Sequence, residues 1–125
     1  MNDQTPDPSP SLAEVTRRLV AFRDARDWGS FHTLRQLMAS VSIEAAELLE
    51  LAQWRTESDM DKLVHDPAFR NRLQEECADV LIYLLLIAER AGFDLSAAAA
   101  GKIETNAVRY PVERARGNAR KYTEL

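Results

Sequence analysis

The chain has 125 residues, of which 46% are hydrophobic and 29% are charged, and its formal net charge is −4. This length fits a single domain, and the apolar fraction is that of a folded protein, which excludes wholesale disorder. One cysteine, Cys77, excludes an intramolecular disulfide and a zinc site built on a cysteine pair, so we expect a reducing compartment. The longest apolar run, residues 80–88, is shorter than the roughly 20 residues that a membrane-spanning helix needs. The polar N-terminus does not have the pattern of a signal or transit peptide, and these features together predict a cytoplasmic protein.

Charge is distributed unevenly along the chain. Acidic residues outnumber basic ones by ten to four between Glu44 and Asp79, whereas basic residues outnumber acidic ones by six to two between Lys102 and Lys121. The acidic excess argues against nucleic acid as the main partner. An acidic centre followed by a basic segment would suit a polyanion bound through a metal ion, although such segregation is also common on ordinary protein surfaces.

Apolar residues recur at helical spacing along the whole chain, which predicts an all-α fold of the four-helix bundle type. Residues 1–10 contain three prolines and are predicted to form a disordered tail. Ser11 caps the first helix, which ends before a loop at Trp28–His32. The second helix is predicted from about Thr33 to Trp54, with one apolar stripe of period 3.6.

Local sequence also marks the remaining helices. An Asp-Pro pair at residues 66–67 predicts the start of a third helix, which Gly92 ends. Asp94 caps a fourth helix, which ends before a proline. The helical domain is therefore predicted over residues 11–112, and a basic C-terminal tail over residues 113–125.

The third predicted helix is apolar on every side between residues 80 and 88. A helix that is hydrophobic all round has to be covered all round. Three partner helices in so short a chain are few for that purpose, so we expect association with a second subunit.

Two pairs of carboxylates lie on the second and third predicted helices, Glu44 with Glu47 and Glu76 with Asp79. Residues three apart share a helix face, with Cβ atoms about 5–6 Å apart. At about 100° per residue, Glu44 and Glu76 fall on or beside the apolar stripes. Because burying an unpaired carboxylate is costly, the pattern predicts a hard divalent cation, most simply Mg²⁺, and the absence of histidine disfavours di-iron. The alternative is that these acids are solvated or paired with arginine.

Several segments around these residues resemble one known family. Ile43–Trp54 (IEAAELLELAQW), Glu75–Ala88 (EECADVLIYLLLIA) and Lys102–Pro111 (KIETNAVRYP) resemble the all-α MazG-like nucleoside triphosphate pyrophosphatases, in particular the dCTP pyrophosphatase branch. Phe22–His32 (FRDARDWGSFH) and the terminal RKYTEL strengthen this similarity. The resemblance runs in order over about residues 12–125.

The resemblance implies Mg²⁺-dependent hydrolysis of dCTP, or of modified dCTP, to dCMP and pyrophosphate, as a step in nucleotide-pool cleaning. The implied metal ligands are Glu44, Glu47, Glu76 and Asp79, and we choose Glu47 as the residue that orients or deprotonates the attacking water. The implied substrate-binding residues are Trp28, Gly29, Ser30, Phe31, His32, Trp54, Tyr83, Lys102 and Asn106. The family fold is a helical bundle that dimerises, and this branch forms tetramers as dimers of dimers.

The sequence departs from the family pattern in two places. Leu34 and Gln36 stand where the family often has Pro and Asn in the motif His-x-Pro-Arg-Asn-Leu. Ile43 and Ala46 stand where glycine commonly precedes each glutamate of the first pair. Three alternatives stay open: the same reaction on dUTP or a broad set of nucleotides, a catalytically silent helical adaptor, and a nucleic-acid-binding bundle, against which the acidic central helices argue.

Overall fold

The computed structural model describes residues 8–125, which form six α-helices and one 3₁₀-helix. The helices are α1 (Leu12–Ala25), α2 (Leu34–Glu50), α3 (Glu57–Leu63), α4 (Pro67–Ala91), α5 (Leu95–Arg109), α6 (Val112–Ala115) and the 3₁₀-helix (Tyr122–Glu124). No strand occurs among these residues, so the all-α prediction is confirmed. None of the helices described is long and apolar enough to cross a membrane. Residues 1–7, most of the predicted disordered tail, lie outside the described part of the chain.

The predicted caps of α1 and α4 are present. Ser11 Oγ accepts a hydrogen bond from the Glu14 amide at 3.1 Å, and Asp66 Oδ2 accepts one from the Phe69 amide at 2.9 Å. Each bond satisfies an amide that has no partner within its own helix. At the end of α4, Gly92 has a φ of 79°, which glycine adopts without the steric penalty of a Cβ atom.

The chain between α2 and α4 differs from the prediction. Helix α2 ends at Glu50 and not near Trp54, and residues 51–54 form a turn. Trp54 has a φ of 64°, a left-handed conformation that costs a non-glycine residue about 1–2 kcal/mol and that an α-helix does not continue through. Thr56 and Asp59 then form a reciprocal capping box, with bonds of 2.9 and 3.1 Å, which starts the unpredicted helix α3.

The chain divides into two compact units, one ending at Gly92 and the other spanning Phe93–Leu125. In the first unit, α4 packs against both α2 and α1. The buried apolar side chains, all in this unit, are Leu37, Leu51, Phe69, Leu85, Leu86 and Ala88. The α4 helix is therefore the central element on which the first unit is built.

In the second unit, aromatic contacts attach the 3₁₀-helix to the end of α5. The rings of Tyr110 and Tyr122 pack edge to face with centroids 6.0 Å apart, and the guanidinium of Arg109 lies 4.8 Å above the Tyr122 ring. The predicted tail at residues 113–125 thus includes all but the first residue of α6, together with this 3₁₀-helix. The domain boundaries at residues 10 and 112 stay predictions.

Leu37 provides a test of the core. It is 2% exposed, so we expect Leu37→Ala to lower the free energy of unfolding by about 2–5 kcal/mol, through lost burial and the cavity left behind. Urea denaturation at a fixed protein concentration measures this loss. Leu12 is 36% exposed at the start of α1, and Leu12→Ala serves as the control with an expected loss below about 1 kcal/mol. Equal losses for the two variants would contradict this assignment of the core.

Candidate functional site

Three carboxylates from two helices meet in the first unit. One oxygen of each of Glu44, Glu47 and Glu76 lies within 4.8 Å of the other two. Glu44 and Glu47 are one turn apart on α2, whereas Glu76 comes from α4, so the packing of the two helices completes the cluster. Asp79, the fourth predicted ligand, lies one turn after Glu76 on α4 and is not part of this close group. The structure thus brings together three of the four predicted ligands.

The environment of the cluster disfavours its negative charge. The Oε2 atoms of Glu44 and Glu76 are buried and have no hydrogen-bond partner among the described residues. The hydrogen-bonding Glu47 carboxyl, and then burial, raise the pKa of Glu44 above its usual value. Burial, and then the charges of Glu47 and Asp79, raise the pKa of Glu76. Oxygen ligands that repel one another and lack donors fit a hard divalent cation, which would supply the missing positive charge.

A cavity of about 370 Å³ opens beside α1, the loop that follows it, and α4. Its lining consists of Val15, Arg18, Leu19, Phe22, Arg23, Trp28, His32, Ile82, Tyr83 and Leu86. Trp28 packs edge to face against Phe22 and against His32, with ring centroids 5.7 and 6.2 Å away. Nδ1 of His32 is buried and has no hydrogen-bond partner within residues 8–125. A mainly apolar cavity with aromatic walls and few polar atoms suits a flat, uncharged ring.

The cavity and the carboxylate cluster share α4. Glu76, Asp79 and Tyr83 follow one another at intervals of three and four residues, so they lie on one helix face. Seven residues of helix rise about 10 Å. One face of α4 therefore presents an acidic site at one point and an aromatic cavity wall about two turns further on. An elongated ligand with a ring at one end and a metal-bound polyanion at the other matches this arrangement.

The predicted loop at Trp28–His32 contributes to the cavity through its two ends. Trp28 and His32 line the cavity, as does the predicted Tyr83, whereas Gly29–Phe31 do not. The backbone explains why Trp28 and His32 lie side by side, because the amides of Phe31 and His32 both donate to the Trp28 carbonyl, at 2.9 and 3.2 Å. This tight turn returns His32 to the side of Trp28 and leaves Phe31 69% exposed.

The other predicted substrate-binding residues lie elsewhere in the chain. Trp54 is 92% exposed in the turn after α2 and does not line the cavity. Lys102 and Asn106 lie one turn apart on α5 in the second unit, and both are exposed. Their contribution to substrate binding stays a prediction.

Sequence reasoning did not identify Arg23 and Glu89, which the structure joins beside the cavity. Arg23 Nη1 donates to Glu89 Oε2 at 2.9 Å and so connects α1 to α4. Arg23 follows Leu19 by one turn on α1, and this proximity to the apolar stripe was the available indication. Its partner is 66 residues away in sequence, a pairing that no local pattern reveals.

Comparisons with known proteins agree with this geometry. Residues 39–125 match the model of the MazG-like family. The chain is 42% identical over 118 residues to dCTP pyrophosphatase 1 of Rattus norvegicus and of Homo sapiens, a match that covers 94% of this chain and 69% of each relative. A pyrophosphatase of Archaeoglobus fulgidus with a crystal structure is similar at a TM-score of 0.75 and 36% identity, over 86% of this chain and 99% of that chain.

The helical architecture is that of a pyrophosphatase-like enzyme. The chain belongs to the MazG-like family, whose matched region includes α4, α5 and all of the carboxylate cluster.

Removing one charge from the cluster tests its repulsion. Because the pKa values of Glu44 and Glu76 are raised above 4.5, ionising these carboxyls in the folded protein lowers its stability. The loss is absent below pH 4.5 and appears as the pH rises from there through the folded-state pKa. We therefore expect metal-free Glu76→Gln to melt at a higher temperature than the unmodified protein near neutral pH, with a difference that vanishes in acid. Thermal melts in EDTA across this range measure the effect.

The control for this comparison is Glu75→Gln, which removes the same charge from the exposed neighbouring residue. We expect it to leave the melting temperature almost unchanged. A metal-free Glu76→Gln variant that melts below the unmodified protein at neutral pH would contradict a repulsive cluster.

Proposed function

We propose that this protein is an Mg²⁺-dependent dCTP pyrophosphohydrolase, which converts dCTP, or modified dCTP, and water to dCMP and pyrophosphate. The observation that carries the proposal is the cluster of Glu44, Glu47 and Glu76, with two buried oxygens that lack partners, on the same α4 face as the cavity residue Tyr83. The 42% identity to relatives named dCTP pyrophosphatase 1 supports the choice of dCTP. Nucleotide-pool cleaning is the role that this reaction would serve.

The donor set of the cluster fits a magnesium ion. All donors are carboxylate oxygens, and no histidine or cysteine belongs to the group. Glu44, Glu47 and Glu76 would hold the ion, and Asp79 would complete the set from the next turn of α4. When bound, the ion supplies positive charge to the triphosphate and lowers the pKa of a nearby water.

The chain's own residues divide the remaining tasks. Glu47 is the exposed member of the cluster, so it is the carboxylate best placed to orient the attacking water and accept its proton. The water attacks the α-phosphorus, the bond to the bridging oxygen breaks, and pyrophosphate leaves. As the resemblance implies, Lys102 would offset the charge that builds on this leaving group, and Asn106 would contact the phosphates or the sugar.

Base binding falls to the aromatic cavity and its loop. Trp28, His32 and Tyr83 line the cavity and would contact the base there, while Gly29–Phe31 maintain the turn between the first two. Trp54 would contribute to the nucleotide site as the resemblance implies, in an assembly that covers its exposed ring.

We also propose that the active form is a homo-oligomer, a dimer of dimers. The chain leaves many large apolar side chains exposed, and large exposed apolar patches mark interaction surfaces. Those above half exposure are Phe31, Met38, Ile43, Leu49, Trp54, Ile103, Val108 and Val112. Five of these lie between the end of the α1–α2 loop and the turn after α2, so this part of the chain is the strongest candidate for contact with a second copy.

Sedimentation velocity tests the assembly. The monomer has a mass of 14.1 kDa, and we expect a species of several times that mass at micromolar concentration. A tetramer would agree with the dimer of dimers, whereas a dimer would support a homo-oligomer and overturn its size of four subunits. A monomer at this concentration would contradict the proposal.

The reaction itself is tested by pyrophosphate release from dCTP, dUTP, dATP, dGTP and CTP, with Mg²⁺ and with EDTA. We expect release that requires Mg²⁺ and is fastest with dCTP. Glu76→Gln should lower kcat by about 100-fold or more, whereas the neighbouring control Glu75→Gln should stay within about twofold.

Each alternative has its own outcome in this assay. Mg²⁺-dependent release that is fastest on another base would keep the reaction and overturn the assignment of dCTP. Full turnover by Glu76→Gln would overturn the metal site. Absence of release from all five nucleotides would favour a modified nucleotide outside this panel or the helical adaptor.

A further inference from the structure

Of the two arginines that line the mainly apolar cavity beside α1 and α4, Arg18 is 66% exposed and Arg23 is largely buried in the wall. The Arg23 side chain lines this cavity and is only 15% exposed. A guanidinium in so apolar a place needs fixed partners, and Arg23 has two, since its Nε donates to Asp24 Oδ1 at 3.0 Å and its Nη1 to Glu89 Oε2 at 2.9 Å. These contacts fix the plane of the guanidinium from two different helices.

The charge balance around Arg23 favours a neutral ligand over a phosphate. Two carboxylates face one guanidinium, so a phosphate placed there would meet a surplus of negative charge. The contacts with Asp24, and then with Glu89, raise the pKa of Arg23. A guanidinium stays protonated even without such contacts, so Arg23 acts only as a donor. The two bonds to Asp24 and Glu89 use two of the five N–H groups of the guanidinium, and the remaining ones can bond to a neutral acceptor.

A second polar atom in the same cavity also lacks a partner. Nδ1 of His32 is buried, makes no hydrogen bond within the described residues, and belongs to a side chain that lines the cavity with Arg23. Buried polar atoms are rarely left unpaired. The cavity therefore has hydrogen-bonding capacity that a polar edge on a flat ring would satisfy.

We propose that Arg23 is a specificity-determining residue, which donates hydrogen bonds to the acceptor edge of the cytosine ring while Asp24 and Glu89 hold its guanidinium in place. This inference rests on the proposed function and deepens it. Cytosine presents O2 and N3 side by side as acceptors, whereas thymine and uracil carry a hydrogen on N3. A donor-only fork thus selects cytosine over the other pyrimidines. Glu89 is a positioning residue, because it acts on the base only through Arg23.

The chain offers a matched control in Arg17, which lies on the same helix and does not line the cavity. Its side chain is 69% exposed and its Nε donates to Glu14 Oε2 at 2.9 Å, one turn earlier on α1. Arg17→Met and Arg23→Met make the same chemical change outside the cavity and in its wall. Kinetics with dCTP, dTTP, dUTP and dGTP at saturating Mg²⁺ compare their effects.

We expect Arg23→Met to raise the KM for dCTP by about 10- to 100-fold, the range of a hydrogen bond to a charged group, with kcat within about threefold. The KM values for dTTP and dUTP should change by less than about threefold, and Arg17→Met should change none of them by more than about twofold. The proposal would be overturned if Arg23→Met raised the KM equally for dCTP and dTTP, or raised it more for dGTP than for dCTP. A lower melting temperature with unchanged KM values would also overturn it.

Two further measurements keep the test decisive. If Arg23→Met does not fold, Glu89→Gln serves instead, because it frees the guanidinium of Arg23 without removing it. We expect this variant to raise the KM for dCTP selectively, and unchanged selectivity would overturn the proposal. Calorimetric binding of deoxycytidine and thymidine needs no hydrolysis. A protein that binds deoxycytidine through Arg23 but hydrolyses no nucleotide would refute the proposed reaction and support this inference. An active protein whose base preference is unchanged in Arg23→Met would support the reaction and refute this inference.

Discussion

The carboxylates of Glu44, Glu47 and Glu76 repel one another, and the packing of α2 on α4 nevertheless keeps their oxygens within 4.8 Å. Like charges at this distance cost free energy. Burial of apolar side chains such as Leu37 and Leu85 opposes that cost, because removing apolar surface from water is the dominant favourable contribution to folding. The same packing excludes donors from two of the oxygens. The acidic site is therefore a consequence of how the two helices meet.

Helix α4 then connects this site to a second environment of opposite character. Glu76 belongs to the repelling cluster, whereas Tyr83, two turns later on the same face, lines a mainly apolar cavity. A nucleoside triphosphate combines the two chemistries that these environments suit, a flat neutral ring and a chain of charged phosphates. In the function we propose, one rigid helix sets the distance between base recognition and phosphate chemistry. Rigid elements hold such groups more precisely than loops do.

The small core explains why assembly belongs in the proposal. Residues 8–125 include six buried apolar residues and fifteen large hydrophobic ones that are exposed, among them Trp54 with its left-handed backbone. An exposed tryptophan in a conformation that costs free energy is difficult to explain by the stability of a single chain. If a second copy covers this surface, the stability of the protein depends on its concentration, and the nucleotide site depends on assembly.

Much of the secondary structure could be predicted because its causes are local. The caps at Ser11 and Asp66 and the stop at Gly92 act within one helical turn, so a few neighbouring residues determine them. The capping box at Thr56 was equally local, but it uses Asp59 where Glu or Gln is usual, and α3 was therefore missed. The end of α2 was misplaced because the apolar period continues beyond Glu50, and the backbone conformation of Trp54 leaves no trace in that period.

The sequence by itself determined the helical class, the starts of α1, α2, α4 and α5, and the position of Glu44 and Glu76 on apolar faces, since spacing along one helix fixes which side chains share a face. Only the tertiary structure decided that Glu76 joins Glu44 and Glu47 while Asp79 stays outside the close group. It also decided that Arg23 pairs with Glu89 across 66 residues. These outcomes depend on how one helix packs against another, and that arrangement follows from the whole set of packed side chains, which no local pattern encodes.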